Sequence, residues 1–337
     1  MRAFVLTGPR TFELRAVSAP VAEPGEVVVD VERVGVCGTD VEFFTGEMAY
    51  LHDGQAAYPM RLGHEWCGRV AAVGAGVDSA WVGRRVTGDT MLGDGTCRRC
   101  RRGKQHVCAD RQEVGIRFGR AGALAGQVMV PASSLHVLPE ALDPTLGALV
   151  EPAANALRAA QGTAARSGDR VLVLGPGTIG LLTAMFLRAD GAEVHLLGLS
   201  DASNRFAQSL GFEDVWTSAD LPDLPFDAVV DATHGAAMPA FALQRVEPGG
   251  RVVYIGLSGE PSMIDTRAVA LKDVTVVGVL SASPALAQTV DLLARGIIDP
   301  RPLVCATVDL DDVGAVLGGW RPAGAGDGPK VHVDPSA

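Results

Sequence analysis

Asp169-Arg170-Val171-Leu172-Val173-Leu174-Gly175-Pro176-Gly177-Thr178-Ile179-Gly180 is the stretch on which the fold turns. The apolar run Val171 to Leu174 reads as a buried strand. Gly175, Gly177 and Gly180 follow it with G-x-G-x-x-G spacing, and a helical run continues from Leu181 to Asp190. In the order strand, glycine loop, helix, each glycine has a physical task. The first permits a tight turn, the second lets backbone approach a pyrophosphate, and the third lets the helix pack closely. The helix start, with Thr178 and Ile179, then offers free N–H groups and a positive dipole end to phosphates. The glycine spacing alone is a weak signal; its place between strand and helix makes it a dinucleotide cradle.

The pattern repeats downstream. Strands fit Glu193 to Leu197, Ala228 to Asp231, Arg251 to Ile255 and Val274 to Val279. Helices fit about Ser203 to Leu210, Met238 to Arg245 and Pro284 to Arg295. Alternating strands and helices make βαβ units and a parallel sheet. Upstream, Glu26 to Val36, Arg69 to Val73, Arg84 to Val86 and Gln127 to Pro131 are strand-like runs separated by Gly and Pro, as in a compact β-rich domain. From about Leu303 the chain returns to short strands, expected to pack back on that first domain. The fold class is therefore α/β: a doubly wound parallel sheet over 152–289, and a discontinuous β-rich domain from 1–151 with 290–337. Glu151-Pro152 marks the junction.

The chain has 337 residues, is 47% hydrophobic and 20% charged, and carries a formal charge of −10. It can bury large cores, and its acidic balance argues against nucleic acid or anionic membrane as a partner. Met1 to Gly8 lacks the long apolar run of a signal peptide, and no stretch approaches the ~18 apolar residues of a membrane span. A cytoplasmic, reducing location is expected, where clustered thiols favour metal over disulfide.

Three of the six cysteines fall in one short segment, Asp94-Gly95-Thr96-Cys97-Arg98-Arg99-Cys100 followed by Cys108. It reads as a four-ligand metal lobe at about 90–110 with Asp94 in the first position, or as a metal-free turn begun by Asp94-Gly95. The arginines around it would suit a nucleic-acid module, but no recognition helix or aromatic platform accompanies them. Elsewhere, Cys37-Gly38-Thr39-Asp40, Gly63-His64-Glu65 and Glu151 supply thiolate, imidazole and carboxylate, the borderline donors that zinc accepts. Taken singly, each is equally well a core residue. Cys67 and Cys305 have no motif partners and read as buried thiols.

The strand after the cradle ends Leu197-Gly198-Leu199-Ser200-Asp201. Gly198 occupies the place where an acid commonly bonds the ribose 2′-hydroxyl of NAD. Asp201 reads as the cap of the next helix. Without the acid, Ser200 or Arg205 can receive a 2′-phosphate, so the NAD(P) reading leans to NADP.

Cys-Gly-Thr-Asp, Gly-His-Glu, the cysteine lobe, Glu-Pro and Gly-Pro-Gly-Thr-Ile-Gly occur in the order seen in zinc-dependent medium-chain dehydrogenases of the alcohol dehydrogenase superfamily. The resemblance covers nearly the whole chain and is closest to the sorbitol and threonine dehydrogenase branch. It implies a GroES-like first domain and a Rossmann second domain. It implies that Cys37 and His64 hold a catalytic zinc, that Glu65 is a direct or exchangeable ligand, and that Glu151 ligates zinc or holds its water. Asp40 would fix the His64 tautomer and Thr39 would pass the substrate proton outward. Glu42 stands where the family often has His, so the proton exit differs or runs through water. Cys97, Cys100 and Cys108 match the last three ligands of the family's structural zinc lobe, with Asp94 in place of the first Cys. Lys330 falls where the family often sets a basic residue near the pyrophosphate; a solvated Lys fits as well. Phe43, Phe44, Met48 and Phe118 are candidate pocket residues, and core packing explains each as well. The implied reaction joins a secondary alcohol (polyol, sugar or cyclitol-like) and its ketone by hydride transfer, in a homodimer or homotetramer built across the strand Val274 to Val279. The alternative is a non-catalytic NADPH-binding or sensing protein on the same scaffold.

Overall fold

Valine-rich strands carry the first half of the chain in the computed structural model, which describes residues 1–336. β1 (Arg2–Gly8) and β2 (Thr11–Ala16) form an antiparallel hairpin. β3 (Glu26–Gly35) buries Val27, Val28, Val29, Val31 and Val34. Burying each such side chain contributes roughly 1.5–3 kcal/mol. β3 pairs antiparallel with β4 (Glu65–Val73), and β5 (Arg85–Gly88) extends the sheet beyond β4. β6 (Met91–Leu92) and β7 (Gln112–Glu113) make a small ribbon at the base of the cysteine lobe. β8 (Gln127–Pro131) pairs with β3, and β9 (Leu135–Val137) with β5.

The second sheet is wholly parallel. β10 (Arg170–Leu174), β11 (Glu193–Leu197), β12 (Val215–Trp216), β13 (Phe226–Asp231), β14 (Val246–Tyr254) and β15 (Thr275–Gly278) stand in the order β12-β11-β10-β13-β14-β15. The order reverses at β10, which opens a crevice at the carboxyl ends of the strands. Finally, β16 (Val304–Val308) and β17 (Lys330–Val333) return to the first sheet, where β17 runs antiparallel to β3.

Helices link and cover the sheets: α1 (Gly38–Thr45), α2 (Ala49–His52), α3 (Pro144–Thr163), α4 (Thr178–Ala189), α5 (Asp201–Ser209), α6 (Met238–Arg245), α7 (Thr266–Leu271) and α8 (Leu286–Ala294). α3 and the starts of α4 and α8 differ from the sequence reading. α4 begins at Thr178 rather than Leu181, because its first turn is the end of the glycine loop. The run expected from Pro284 opens as a 3₁₀ turn, Ser283–Ala285, before α8. The 20-residue α3 runs straight through Glu151-Pro152, which had read as a junction. Its start is conventional: the Asp143 side chain accepts from the Leu146 N–H at 2.9 Å, and Pro144 sits in the first turn. The internal Pro152 removes one backbone donor and so hides the helix from a pattern reading. Packing overrides that cost, since Leu146, Leu149, Val150, Ala153 and Leu157 are all buried.

Candidate active site

The register of β3 on β4 places Gly35 opposite Glu65. The chain leaves β3 into Cys37 and enters β4 from His64, so two motifs distant in sequence meet at one sheet end. Cys37 caps α1, and its N–H is held by Asp40 Oδ2 at 2.9 Å. Ligand atoms of Cys37, His64 and Glu65 lie within 4.8 Å of one another. A Cβ at Gly35 would stand 2.1 Å from Glu65 Oε2, so only glycine leaves room for that carboxylate. Gly35 was not among the sequence candidates; its one signal was a glycine ending a valine-rich strand.

His64 is 5% exposed and Asp40 fully buried. Asp40 Oδ1 lies 3.6 Å from His64 Nδ1, beyond hydrogen-bond length, and neither atom has another partner. The carboxylate therefore faces the ring as a charge rather than as a hydrogen-bond acceptor. Burial works against the imidazolium, but Asp40 and then Cys37 outweigh it and lift His64 well above its ordinary pKa. A metal would displace that proton.

Glu65 holds a partner that the sequence reading missed. The Lys330 ammonium reaches its two oxygens at 2.8 and 2.7 Å and the Val36 carbonyl at 2.9 Å. Lys330 is 3% exposed, so it is neither a solvated lysine nor free for a pyrophosphate. The β17–β3 pairing carries it there, with the Val36 N–H donating to the Val331 carbonyl at 3.0 Å. Burial alone would pull the ammonium down, but Glu65 and Cys37 more than offset this and raise its pKa. With both oxygens engaged, Glu65 suits an exchangeable ligand better than a permanent one.

Glu151 projects from α3 and is 7% exposed. Asn155, one turn on, donates to its Oε1 at 2.9 Å. It stands outside the tight trio. Burial pushes its pKa up to about 7, with the charge of His64 opposing and that of Glu65 assisting. Thr39 and Glu42 share one face of α1, both half-buried. Among the described residues the Thr39 hydroxyl has no partner. Burial raises Glu42, and His234 partly counters it.

In the lobe, the ligand atoms of Asp94, Cys97, Cys100 and Cys108 also gather within 4.8 Å. Asp94 Oδ1 accepts from the N–H groups of Thr96 and Cys97 at 2.8 and 2.9 Å. The N–H groups of Cys97 and Thr96 hold its carboxyl well below the usual range. Asp94 Oδ1 thus makes the turn, and Oδ2 takes no part in it. A Cβ at Gly93 would stand 2.6 Å from Cys100 Sγ, so glycine admits that sulfur.

In the cradle, Gly175 has φ of 90° and a Cβ there would meet Thr233. A Cβ on Gly180 would sit 1.9 Å from the Gly175 carbonyl oxygen, whereas one on Gly177 would meet nothing within 4 Å. The turn and the packing need two glycines; the third keeps space open before the start of α4, where Thr178 and Ile179 form its first turn. At Gly198 a Cβ would clash with Asn204 Oδ1 at 1.9 Å. Ser200, not Asp201, caps α5, its Oγ accepting from the Ser203 N–H at 3.2 Å and lying 2.9 Å from Ser203 Oγ. Asp201 is the first residue inside that helix. Arg205 is exposed and has no partner among the described residues.

Other candidates fall elsewhere. Phe43 and Phe44 are buried core, Met48 packs against that core, and Phe118 is 44% exposed beneath the Arg117 guanidinium. Cys67 is a buried thiol 3.2 Å from the Pro144 carbonyl oxygen, but Cys305 is half-exposed and receives Arg321 Nη1 at 2.8 Å. No helix among the described residues is long and apolar enough to cross a membrane.

Residues 23–140 match the alcohol dehydrogenase GroES-like domain, and residues 178–295 match the zinc-binding dehydrogenase domain. A 2-dehydro-3-deoxy-L-galactonate 5-dehydrogenase from Pseudoalteromonas atlantica is 30% identical over 326 residues, 92% of each chain. An L-threonine 3-dehydrogenase from Saccharopolyspora erythraea is 32% identical over 291 residues, 83% of each. The NADH complex of an alcohol dehydrogenase from Escherichia coli CFT073 superimposes with a TM-score of 0.90 over 99% of both chains at 26% identity. The chain belongs to the zinc-binding medium-chain dehydrogenases of the alcohol dehydrogenase superfamily, within the branch that resembles sorbitol and threonine dehydrogenases.

Proposed function

We propose that this protein interconverts a secondary alcohol and its ketone, with a polyol, sugar or cyclitol-like metabolite as substrate. The observation that carries the reading is the gathering of Cys37, His64 and Glu65 donor atoms within 4.8 Å at the end of β3 and β4. The thiolate, imidazole and carboxylate donors suit zinc. Cys37, His64 and Glu65 would hold a zinc that supplies Lewis acidity to an alcohol oxygen, and the glycine turn would hold the NAD(P) that serves as hydride acceptor. Thr39 takes the hydroxyl proton and passes it outward along α1, where Glu42 replaces the expected His as the next acceptor. Asp40 keeps the ring of His64 in one orientation. Glu151, held by Asn155, hydrogen-bonds the reacting oxygen or a water beside it. Residues 1–151 with 290–337 form the metal-bearing half of the molecule, and 152–289 the dinucleotide half.

The reading is tested by metal analysis combined with turnover of an alcohol panel using both cofactors. Stoichiometric zinc without turnover across the panel would favour the non-catalytic NADPH-binding alternative. The neutral Gly198 and the unpaired Arg205 favour NADP, although the related E. coli structure carries NADH. NADP is expected to support kcat/KM at least equal to that with NAD, and a strong preference for NAD would sink this part of the proposal. Gly177→Ala is expected to leave the unfolding free energy within about 1 kcal/mol of wild type. It should weaken dinucleotide binding about tenfold or more, because the methyl group enters the open space before α4. Unchanged dinucleotide affinity by fluorescence titration would place the pyrophosphate elsewhere.

The lobe is proposed to hold a second zinc through Asp94, Cys97, Cys100 and Cys108. Carboxylate oxygen is a harder ligand than sulfur. Asp94→Cys is therefore expected to slow zinc release to a chelator by about tenfold. An unchanged release rate would remove Asp94 from the ligand set. β15 lies at the outer edge of its sheet with Val276 41% exposed. That edge supports a homodimer or homotetramer in which two copies of β15 meet; a monomer on sedimentation would exclude it.

A further inference from the structure

Outside the cleft, one cavity of about 260 Å³ lies between the β1–β2 hairpin, the segment 56–61 and the loop 116–121. Val5, Val17, Ala56, Met60 and Ile116 give it apolar walls, and Arg61 is part of its lining. It includes none of the residues assigned to the metals or the dinucleotide. We propose that this cavity binds a small organic monoanion, a carboxylate with a short apolar tail, and that Arg61 receives the carboxylate.

Arg61 carries the argument. It is largely buried, and its Nε is buried with no hydrogen-bond partner. Among the described residues the guanidinium has no ion pair and no carbonyl acceptor. Arg120, in the same lining, is instead satisfied by Glu26 Oε1 and the Met129 carbonyl, both at 2.8 Å. The chain has 39 acidic residues against 29 basic ones, yet none of those acids is placed against Arg61. The backbone there is pinned: Gly122 N–H donates to the Arg61 carbonyl at 2.8 Å, and Met60 N–H to the Leu6 carbonyl at 2.9 Å. Arg61 is thus rooted in a fixed wall. A guanidinium whose Nε is buried without an acceptor has lost part of its hydration, which an incoming anion replaces. Burial accordingly lowers the Arg61 pKa, with no neighbouring acid to oppose it.

The walls select the class. A phosphate needs several donors, and this cavity offers one unengaged guanidinium set among aliphatic carbons. At ~30 Å³ for each water-sized group, the cavity admits about eight non-hydrogen atoms, the size of hexanoate. Apolar lining with one oriented polar group is the usual construction of a small-molecule site.

Titration calorimetry of hexanoate into the zinc-loaded protein tests the proposal. Carboxylates can also ligate a metal, so His64→Ala serves as a control for binding at the cleft. Wild type and His64→Ala should bind hexanoate with the same affinity, and Arg61→Leu should lose about 10–100-fold, as expected for a charge-assisted hydrogen bond. Arg61→Lys should retain most of the affinity, and hexanol or inorganic phosphate should bind at least about tenfold more weakly. Ala57→Phe blocks the mouth from an exposed position that the fold does not depend on, so it keeps the test valid if Arg61→Leu misfolds. No saturable binding to wild type, full affinity in Ala57→Phe, or binding lost in His64→Ala but kept in Arg61→Leu would each overturn the proposal.

Discussion

His64→Ala is expected to reduce kcat with the best alcohol by about 10³-fold or more while leaving dinucleotide affinity within about twofold of wild type. Lewis-acid stabilisation is worth several kcal/mol, and each 1.36 kcal/mol is tenfold in rate. The selectivity follows from the architecture. His64 enters β4 of the first sheet, whereas Gly175, Gly177 and Gly180 belong to the turn after β10 of the second. Removing the imidazole leaves Cys37 and a Glu65 already bound to Lys330. Bound zinc should therefore fall along with turnover, while zinc in the lobe stays. Stopped-flow turnover, dinucleotide titration and metal analysis on one preparation check the three parts. Activity retained in this variant would refute the assignment of the metal centre.

Lys330→Met is expected to destabilise the protein by about 3–5 kcal/mol, because it strands the Glu65 carboxylate in a buried site. The side chains of Lys330 and Glu65 are 3% and 2% exposed, so water cannot replace the lost partner. Adding Glu65→Gln to Lys330→Met should recover most of that loss, since a neutral pair avoids the desolvation cost that a lone charge bears. Urea unfolding of the two single variants and the double variant in the presence of a chelator, so that no metal replaces the ammonium, measures the coupling. Additive single effects would mean that the pair contributes no specific stability. The raised pKa of Lys330 sets the pH window. Its contribution is complete below the unfolded value near 10.5 and is lost only as pH rises through the higher folded value. Between pH 6 and 9 this ammonium should give wild-type stability no slope, so a steep loss in that range would have another source.

Much of the site was legible because its signals are local. The strand Arg170–Leu174, the glycine turn and the start of α4 are contiguous, and each expresses a backbone requirement within a few residues. Cys37 and Asp40 are likewise a local unit, joined through the capping hydrogen bond of α1. The errors came where a local rule lost to packing. Pro152 argues against a helix, yet the buried face of α3 keeps it helical and turns Glu151 inward. Asp201 looked like a cap, but Ser200 stood one residue earlier with a hydroxyl suited to that role. Phe43 and Phe44 suited either a pocket or the core, and α1 packs that face into the core of the first sheet.

By itself the sequence determined the α/β fold class and the glycine turn after β10, and through the family resemblance it named Cys37, His64, Glu65 and Glu151 as candidate donors. Period, glycine spacing and residue chemistry are properties of short segments. Only the tertiary structure decided what faces those donors. Lys330 lies 265 residues from Glu65 and meets it because β17 pairs antiparallel with β3. Gly35 matters because strand register sets it against the same carboxylate. Arg61 stands out because folding sets it in a cavity wall with its Nε buried and no acceptor against it. Strand pairing and the placement of counter-charges are long-range choices, and no single segment of the chain encodes them alone.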